Sequence, residues 1–424
     1  MKRLKENKMK EAQNNRRKFL QLSVAGMAIA STSNVTVAAD LPNLSKEKEI
    51  ISKVDVLVVG GGSSGSIAAI QSGRAGAKTL LLERNSQLGG TTTTGGVAFP
   101  GLFDAWGKQI ISGIGWELVE DTVKLDGGTF PDFSKVPKHH WQNQIRVNQF
   151  IYALLAEEKC QKAGVEIAYY EFPQAITKTS EGWQVDCVGF GTQRRVLCKQ
   201  IVDCTGGAEV VGMMNLPRLR EEERQPGSYI YQIGKSHQPA SQKHQLYVHG
   251  ADSTNSRTVT AANLTGRKSI LSKVRKSKKR LMHMQPETGF RESFRIVGET
   301  MITVNDYTSG RVFKDAICNA FYPVDLHTKS GVKPKPLKPG TVPTIPLGAL
   351  IPKDSRNVIV AGRCVSSDRL ANSGLRVQAS CMAMGQAAGM TAALAAKLNT
   401  TPLKVPIAKI REALKEHHAI VPKE

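Results

Sequence analysis

The sequence predicts an α/β protein: a parallel sheet carrying a small antiparallel meander, assembled from pieces distant in the chain and interrupted by a second, α+β domain. Three observations predict this. Val54–Val59 is an apolar run broken only by Asp55, the pattern of a strand buried on both faces of a parallel sheet, and it leads through glycines and a helix-spaced segment into a second apolar strand. Far downstream, Asn357–Ala361 repeats the buried-strand pattern. Between them, from about 208 to 340, the composition turns charged and polar and ends rich in proline, as expected of an inserted domain. At 424 residues the chain also exceeds what one hydrophobic core covers.

Taken in order, Val54–Val59 ends at Gly60, Ser66–Ala75 carries small and apolar residues at helical spacing, and Lys78–Leu82 returns as a strand ending at Glu83. That is one right-handed βαβ unit. Residues 89–101, rich in Gly and Thr, read as a loop, and 102–145 as a cap or insertion with little periodicity. Val147–Ala163 has helical spacing and stops at Gly164, before a buried strand at Val165–Tyr170. Ala175–Thr179, Trp183–Val188 and Arg194–Leu197 alternate as an antiparallel meander, after which Gln200–Cys204 rejoins the sheet. An Ala- and Met-rich helix is expected from about Leu375 to Leu398. The domains this implies are 53–207, with an insertion at about 102–145 and the meander at about 175–198, then a cap over 208–345, a return over 346–398, and a peripheral helix and tail over 399–424.

Residues 1–39 read as an address, with 40–52 as linker. Asn15-Arg16-Arg17-Lys18-Phe19-Leu20 precedes the apolar stretch Leu22–Ala30, and Val37-Ala38-Ala39 supplies small residues for cleavage before Asp40. The segment resembles a twin-arginine export signal, which implies a folded protein delivered to the periplasm or the exterior, with no transmembrane segment in the mature chain. Of the net charge of +22, the first 40 residues, with eight basic and three acidic side chains, contribute +5 and the remainder +17. The densest basic run, Arg267–Arg280, holds eight Lys or Arg in fourteen residues and no aromatics to stack on bases, so a solvated face is expected and a nucleic-acid partner is not. The seven cysteines include no C-x-x-C pair, which argues against iron–sulfur, zinc-finger and thioredoxin-like chemistry.

The strongest motif is Gly60-Gly61-Gly62-Ser63-Ser64-Gly65, with Glu83 eighteen residues beyond Gly65. Gly60 permits the tight turn, Gly62 a close approach of a pyrophosphate, and Gly65 the packing of helix on strand; Ser63 and Ser64 open the helix whose N–H groups face the anion, and Glu83, followed by Arg84, would accept from a ribose. This is a Rossmann-like dinucleotide site. The same residues also satisfy G-x-S-x-G, with Ser63 as the nucleophile of a serine esterase, but that leaves Gly76 and Glu83 without a purpose.

Together with four further stretches, the motif makes residues 53–398 resemble the FAD-dependent oxidoreductases of the glutathione-reductase-like class, in particular a secreted and poorly characterised branch. Leu88–Gly96, with Gly90, Thr91 and Thr92, is similar to that family's loop beside pyrophosphate and flavin. Asp203-Cys204-Thr205-Gly206-Gly207 looks like its strand-end return to the cofactor. Gly362–Asp368 with Arg363, then Asn372-Ser373-Gly374-Leu375-Arg376 and Gly385–Gly389, resembles its C-terminal flavin segment. The resemblance implies FAD rather than NAD, and, because threonines stand where histidine-linked members carry a histidine, FAD held without a covalent bond. A helix starting near Leu375 would aim its positive end at the flavin.

The fourth stretch lies in the substrate region, as Arg291–Glu299 and Tyr322–His327. Arg291 and Arg295 would orient a small anionic or polyoxygenated substrate, while Tyr322, Asp325 or His327 would move a proton as hydride passes to or from flavin. Arg291, Glu292, Arg295 and Glu299 also stand at helical spacings that suit structural ion pairs. Asp325 with His327, or His139 with His140, offers two metal ligands, which is too few for a site, and no metal is expected. The reading is thus an exported flavoenzyme, its rivals the Ser63 esterase and a non-catalytic basic binding protein on a nucleotide fold.

Overall fold

The computed structural model describes residues 50–234, 242–277, 279–328, 331–332 and 334–423. The proposed export signal, its cleavage site and most of the linker lie outside them. The first strand, β1, runs Ile50–Val59, four residues longer at its start than the apolar run predicts. Ile51 is exposed there, so the added turn of strand has no hydrophobic signature and exists because its backbone finds a partner. Helix α1 (Gly65–Arg74) and β2 (Thr79–Glu83) complete the first βαβ unit.

The cap region holds a helix that its sequence did not announce. In α2 (Ile114–Leu125), Ile114, Leu118, Val119, Thr122 and Val123 are buried on one face, and Trp116 packs edge-on to Phe103 at 5.1 Å. Helix α3 (Gln149–Lys162) starts where the Asn148 side chain accepts from the backbone N–H groups of Phe150 and Ile151. Strands β3 (Glu166–Tyr169), β4 (Phe172–Lys178), β5 (Trp183–Gly189) and β6 (Thr192–Asp203) follow. The two short strands predicted at 194–197 and 200–204 are one, because β6 pairs in parallel with β1 from Ile50↔Arg194 to Val59↔Asp203.

The inserted region contains β7 (Gly227–Gly234), β8 (Gln242–Val248), α4 (Ser256–Ser277) and β9 (Arg280–Met284). Helix α4 spans 22 residues but buries only Ala262, Gly266 and Ile270, so its apolar signal is faint. The chain then returns through β10 (Val358–Val360), α5 (Arg369–Leu375), α6 (Gln378–Lys397) and α7 (Ile407–Glu416). The single helix expected from Leu375 is broken at Arg376 and Val377, which places those two residues at a turn.

The main sheet has the order β3-β2-β1-β6-β5-β4, parallel up to β6 and antiparallel through the meander, with β10 parallel to the end of β6. One face carries Val56, Val58 and Leu81 against α1 and α6; the other carries Leu57, Val59, Leu80 and Leu82 in a core shared with Val185 and Val196 of the meander. Helices α1 and α6 approach closely because glycine faces backbone: a Cβ at Gly385 would stand 2.2 Å from the Ser64 carbonyl oxygen, and one at Gly389 2.3 Å from that of Ala68. A separate three-stranded antiparallel sheet, β8-β7-β9, has Tyr229, Tyr231 and Val248 packed with Ala262 and Ile270 of α4. Among the described residues, no helix is long and apolar enough to cross a membrane.

Candidate active site

A cavity of about 720 Å³ opens at the carboxyl ends of β1, β2 and β6, where ligands bind in open α/β sheets. Gly60 turns the chain at φ +95°, with the Cys204 carbonyl oxygen 2.7 Å from where a Cβ would stand. Gly62 has nothing within 4 Å of that position and so presents bare backbone to the cavity. Gly65 packs behind it, since its Cβ would be 1.7 Å from the Gly60 carbonyl oxygen. Ser63 and Ser64 line the cavity at the start of α1. Glu83 is buried at the end of β2, where Oε2 accepts from Gly61 N–H at 2.7 Å and Oε1 from Asn85 N–H at 2.8 Å. Burial raises its pKa, and the two N–H groups partly offset that.

Most of the predicted cofactor residues converge here. Arg84, Gly90, Thr91, Thr205 and Gly206 line the cavity, as do Gly362, Arg363 and Arg376 from the return segment. The Arg363 guanidinium donates to Gly206 O at 2.7 Å and Phe290 O at 3.0 Å, tying the return segment to the end of β6 and to the inserted region. Besides Gly65, three predicted residues stand behind the lining. Thr92 donates to Gln378 Oε1, Leu375 is core, and Ser373 Oγ accepts from Asp325 N–H at 3.0 Å, so it positions the loop that carries Asp325.

At the other end of the cavity stand Arg291, Tyr322, Asp325 and His327. His327 Nε2 and Asp325 Oδ2 are 3.0 Å apart, and Nδ1, buried, has no hydrogen-bond partner among the described residues. Because an ionised carboxylate only accepts, Asp325 fixes the proton on Nε2 and leaves Nδ1 as a free lone pair. Burial lowers the His327 pKa below its ordinary 6.5; Asp325 pulls it up, while Arg291 and Arg376 press it down. Burial would raise Asp325, but the His327 hydrogen bond and the charges of Arg376, His327 and Arg291 hold it below 3.8, so the carboxylate stays ionised. Arg376 donates to the Asp325 carbonyl at 3.0 Å and to Gln225 at 3.3 Å. Arg291 lies over the Tyr247 ring at 5.3 Å, and burial together with Arg376 lowers its pKa. Tyr322, which accepts from Gln144 at 2.8 Å, is pushed up to about 12 by burial and by Asp325.

Arg295 is not in this group. It is buried in a two-residue strand with Ile296, donating to Ser367 O at 2.9 Å and pairing with Glu221 at 2.6 Å. The helical spacing of Arg291, Glu292, Arg295 and Glu299 is therefore accidental, and only Arg291 reaches the cavity. Glu292 acts through others: it holds Arg369 at 2.9 Å and both the backbone and side chain of Gln225, whose Oε1 accepts from His327 N–H at 2.9 Å.

The lining also includes His140, which the sequence offered only as half of a metal-ligand pair, and residues that no motif marked: Trp141 from the cap, Gln245 and Tyr247 from β8, and Gln378 at the start of α6. Exposed Trp141, stacked on His139 at 5.4 Å, was the available signal in the cap. Ser63 Oγ meets Gly89 O, Thr92 Oγ1 and Gln378 Oε1 at 3.2–3.4 Å, none of them a base that would activate a nucleophile. All seven cysteines are buried and unbridged, and among the described residues no three potential metal ligands converge.

The sequence matches the family described as FAD dependent oxidoreductase over residues 55–273 and 219–414. The chain belongs to that family. It is an FAD-dependent oxidoreductase, and the glycine cradle, the buried Glu83 and the start of α1, where Ser63 and Ser64 line the cavity, suit an FAD pyrophosphate and ribose. The oxidoreductase is also 38% identical over 156 residues to a thiamine thiazole synthase of Methanococcus aeolicus, covering 36% of this chain and 55% of that one. With the thiamine thiazole synthase of Methanococcus vannielii it shares 50% identity over 50 residues, 12% of this chain and 19% of that one. The matches thus span about half or less of these relatives. A geranylgeranyl bacteriochlorophyll reductase-like protein of Thermoplasma acidophilum aligns over 86% of this chain and 84% of its own, with 12% identity and a TM-score of 0.45.

Proposed function

We propose that the oxidoreductase passes hydride between a small anionic substrate and non-covalently held FAD, with His327 moving the proton and Arg291 and Arg376 orienting the substrate. The observation that carries this is the His327–Asp325 pair, 3.0 Å apart in the lining of the cavity, with Arg291 and Arg376 beside it. Bound FAD supplies the two-electron chemistry. For oxidation of an alcohol or amine, the neutral His327 ring takes the proton from O–H or N–H as the hydride leaves the neighbouring carbon; for reduction of an activated double bond the imidazolium returns it. Asp325 stabilises the charged ring in either direction. Arg291 has its guanidinium over Tyr247, donates to the Pro226 carbonyl and forms no ion pair among the described residues, which supports an anionic substrate group there.

Thr91–Thr94 occupy the loop where a histidine tether would stand, which supports FAD without a covalent link. Asn15–Leu20 and Val37–Ala39 support export by the twin-arginine route to the periplasm or the exterior. The test is anaerobic mixing of the FAD-loaded protein with candidate hydroxy acids, amino acids and unsaturated acids, reading flavin absorbance. With the substrate that reduces the flavin fastest, or reoxidises it, His327→Gln slows the flavin step by about 10²-fold or more while FAD stays bound. An unchanged rate would remove His327 from the proton transfer.

A further inference from the structure

We infer that the outer face of α4 is a docking site for an anionic phospholipid surface. The helix has two opposed faces. Ala262, Gly266 and Ile270, four residues apart, are buried against β7 and β8. On the opposite side Arg257, Leu264, Lys268, Leu271 and Arg275 fall on one line, at steps of seven, four, three and four residues, and all are exposed. Leu264 and Leu271 are 59% and 49% exposed, too open to serve the core. Lys276 adds charge at the flank of this line, Lys279 and Arg280 follow the helix in the chain and are exposed, and α4 has no acidic residue to neutralise any of them.

Cations alone would fit any polyanion. The leucines narrow the choice, because against nucleic acid they would face phosphates with nothing to bury, and α4 offers no aromatic side chain for stacking. A bilayer surface satisfies both: the leucines enter the boundary between headgroups and acyl chains, and Lys and Arg meet the headgroup phosphates. The geometry leaves the catalytic cavity free. Tyr229, Leu246 and Val248 point from the β8-β7-β9 sheet toward α4, whereas Ser228, Gln245 and Tyr247, their neighbours along the strands, line the cavity from the other side. A molecule lying on α4 therefore keeps one sheet between the lipid and the cofactor crevice.

The experiment is co-sedimentation of the FAD-loaded full chain with vesicles of phosphatidylglycerol and phosphatidylcholine, or of phosphatidylcholine alone, at low and high salt. The protein is expected on anionic vesicles only, with affinity falling at least tenfold between about 50 and 500 mM salt. Lys268→Glu with Arg275→Glu should lower that affinity at least tenfold. Leu264→Ser with Leu271→Ser should abolish the binding that survives high salt. All four positions are exposed, and retained flavin absorbance checks the fold. Absence of wild-type binding, equal binding to both vesicles, or variants that bind like the wild type would overturn the inference. So would tighter binding to an acidic polypeptide or DNA that ignores the leucine substitutions, which would assign the face to a polyanion.

Discussion

His327 shows how a single side chain acquires chemistry from its surroundings. A solvated histidine titrates near 6.5, whereas here burial and two guanidinium groups favour the neutral ring and Asp325 only partly opposes them. Since the folded pKa lies below the unfolded one, the ring remains a base at neutral pH; its contribution to stability is intact above about 6.5 and is lost as pH falls through the folded value. The rate of flavin reduction by an alcohol or amine substrate should therefore be flat at neutral pH and drop on acidification. Stopped-flow measurement across pH checks this, and Asp325→Asn should shift the acid limb to lower pH by removing the negative charge that raises the ring's pKa. Glu83 makes a second case. Both carboxylate oxygens accept backbone N–H groups, so Glu83→Gln turns an N–H donor against another donor, and FAD affinity should fall at least tenfold, about 1.4 kcal/mol or more, in a flavin fluorescence titration.

Among the elements, α6 links stability to the cofactor site. It is buried on nearly every side, its glycines meet the backbone of α1, and its first residue, Gln378, bonds Ser63 and Val97 at the cavity. Gly389→Val should cost about 1–3 kcal/mol of unfolding free energy by forcing the helices apart, measurable as a lowered urea midpoint. Gly385→Val should cost a similar amount and also weaken FAD, because the carbonyl it would strike belongs to Ser64 in the cradle. If both variants lost stability but held FAD equally well, α6 would be packing alone. The contrast with α4 explains what the sequence disclosed. An all-round apolar helix such as α6 is conspicuous, whereas three small buried residues in 22 leave almost no periodic trace.

Over the whole molecule, the cavity joins segments that are far apart in the chain: Gly60–Ser64, Glu83–Thr91, Thr205–Gly206 and Gly362–Gln378. Free FAD at about 100 times its Kd should add ~2.7 kcal/mol of stability, and hydrogen exchange should slow in all four segments together. Protection confined to residues 60–83 would instead mean a local site. The βαβ unit, the meander and the return strand at 358 were legible because each depends on short-range periodicity and on glycines at fixed offsets. Gly60, Gly62 and Glu83 were legible for the same reason, since turn geometry and spacing constrain which residue types can stand there, whereas Arg363 and Arg376, which also line the cavity, were legible through the family resemblance. Residues brought together by the inserted region were not. Arg291 and Arg295 look alike in the sequence, yet one faces the cavity and the other is tied to Glu221 and Ser367. Trp141, Tyr247 and Gln378 carry no motif, and α2 and the extra length of β1 have weak local signals. Local pattern and resemblance could thus name the cofactor and many of the residues that line the cavity. The substrate wall depended on which side chains three separate regions turn toward one cavity, and that follows from long-range packing, which no single segment encodes.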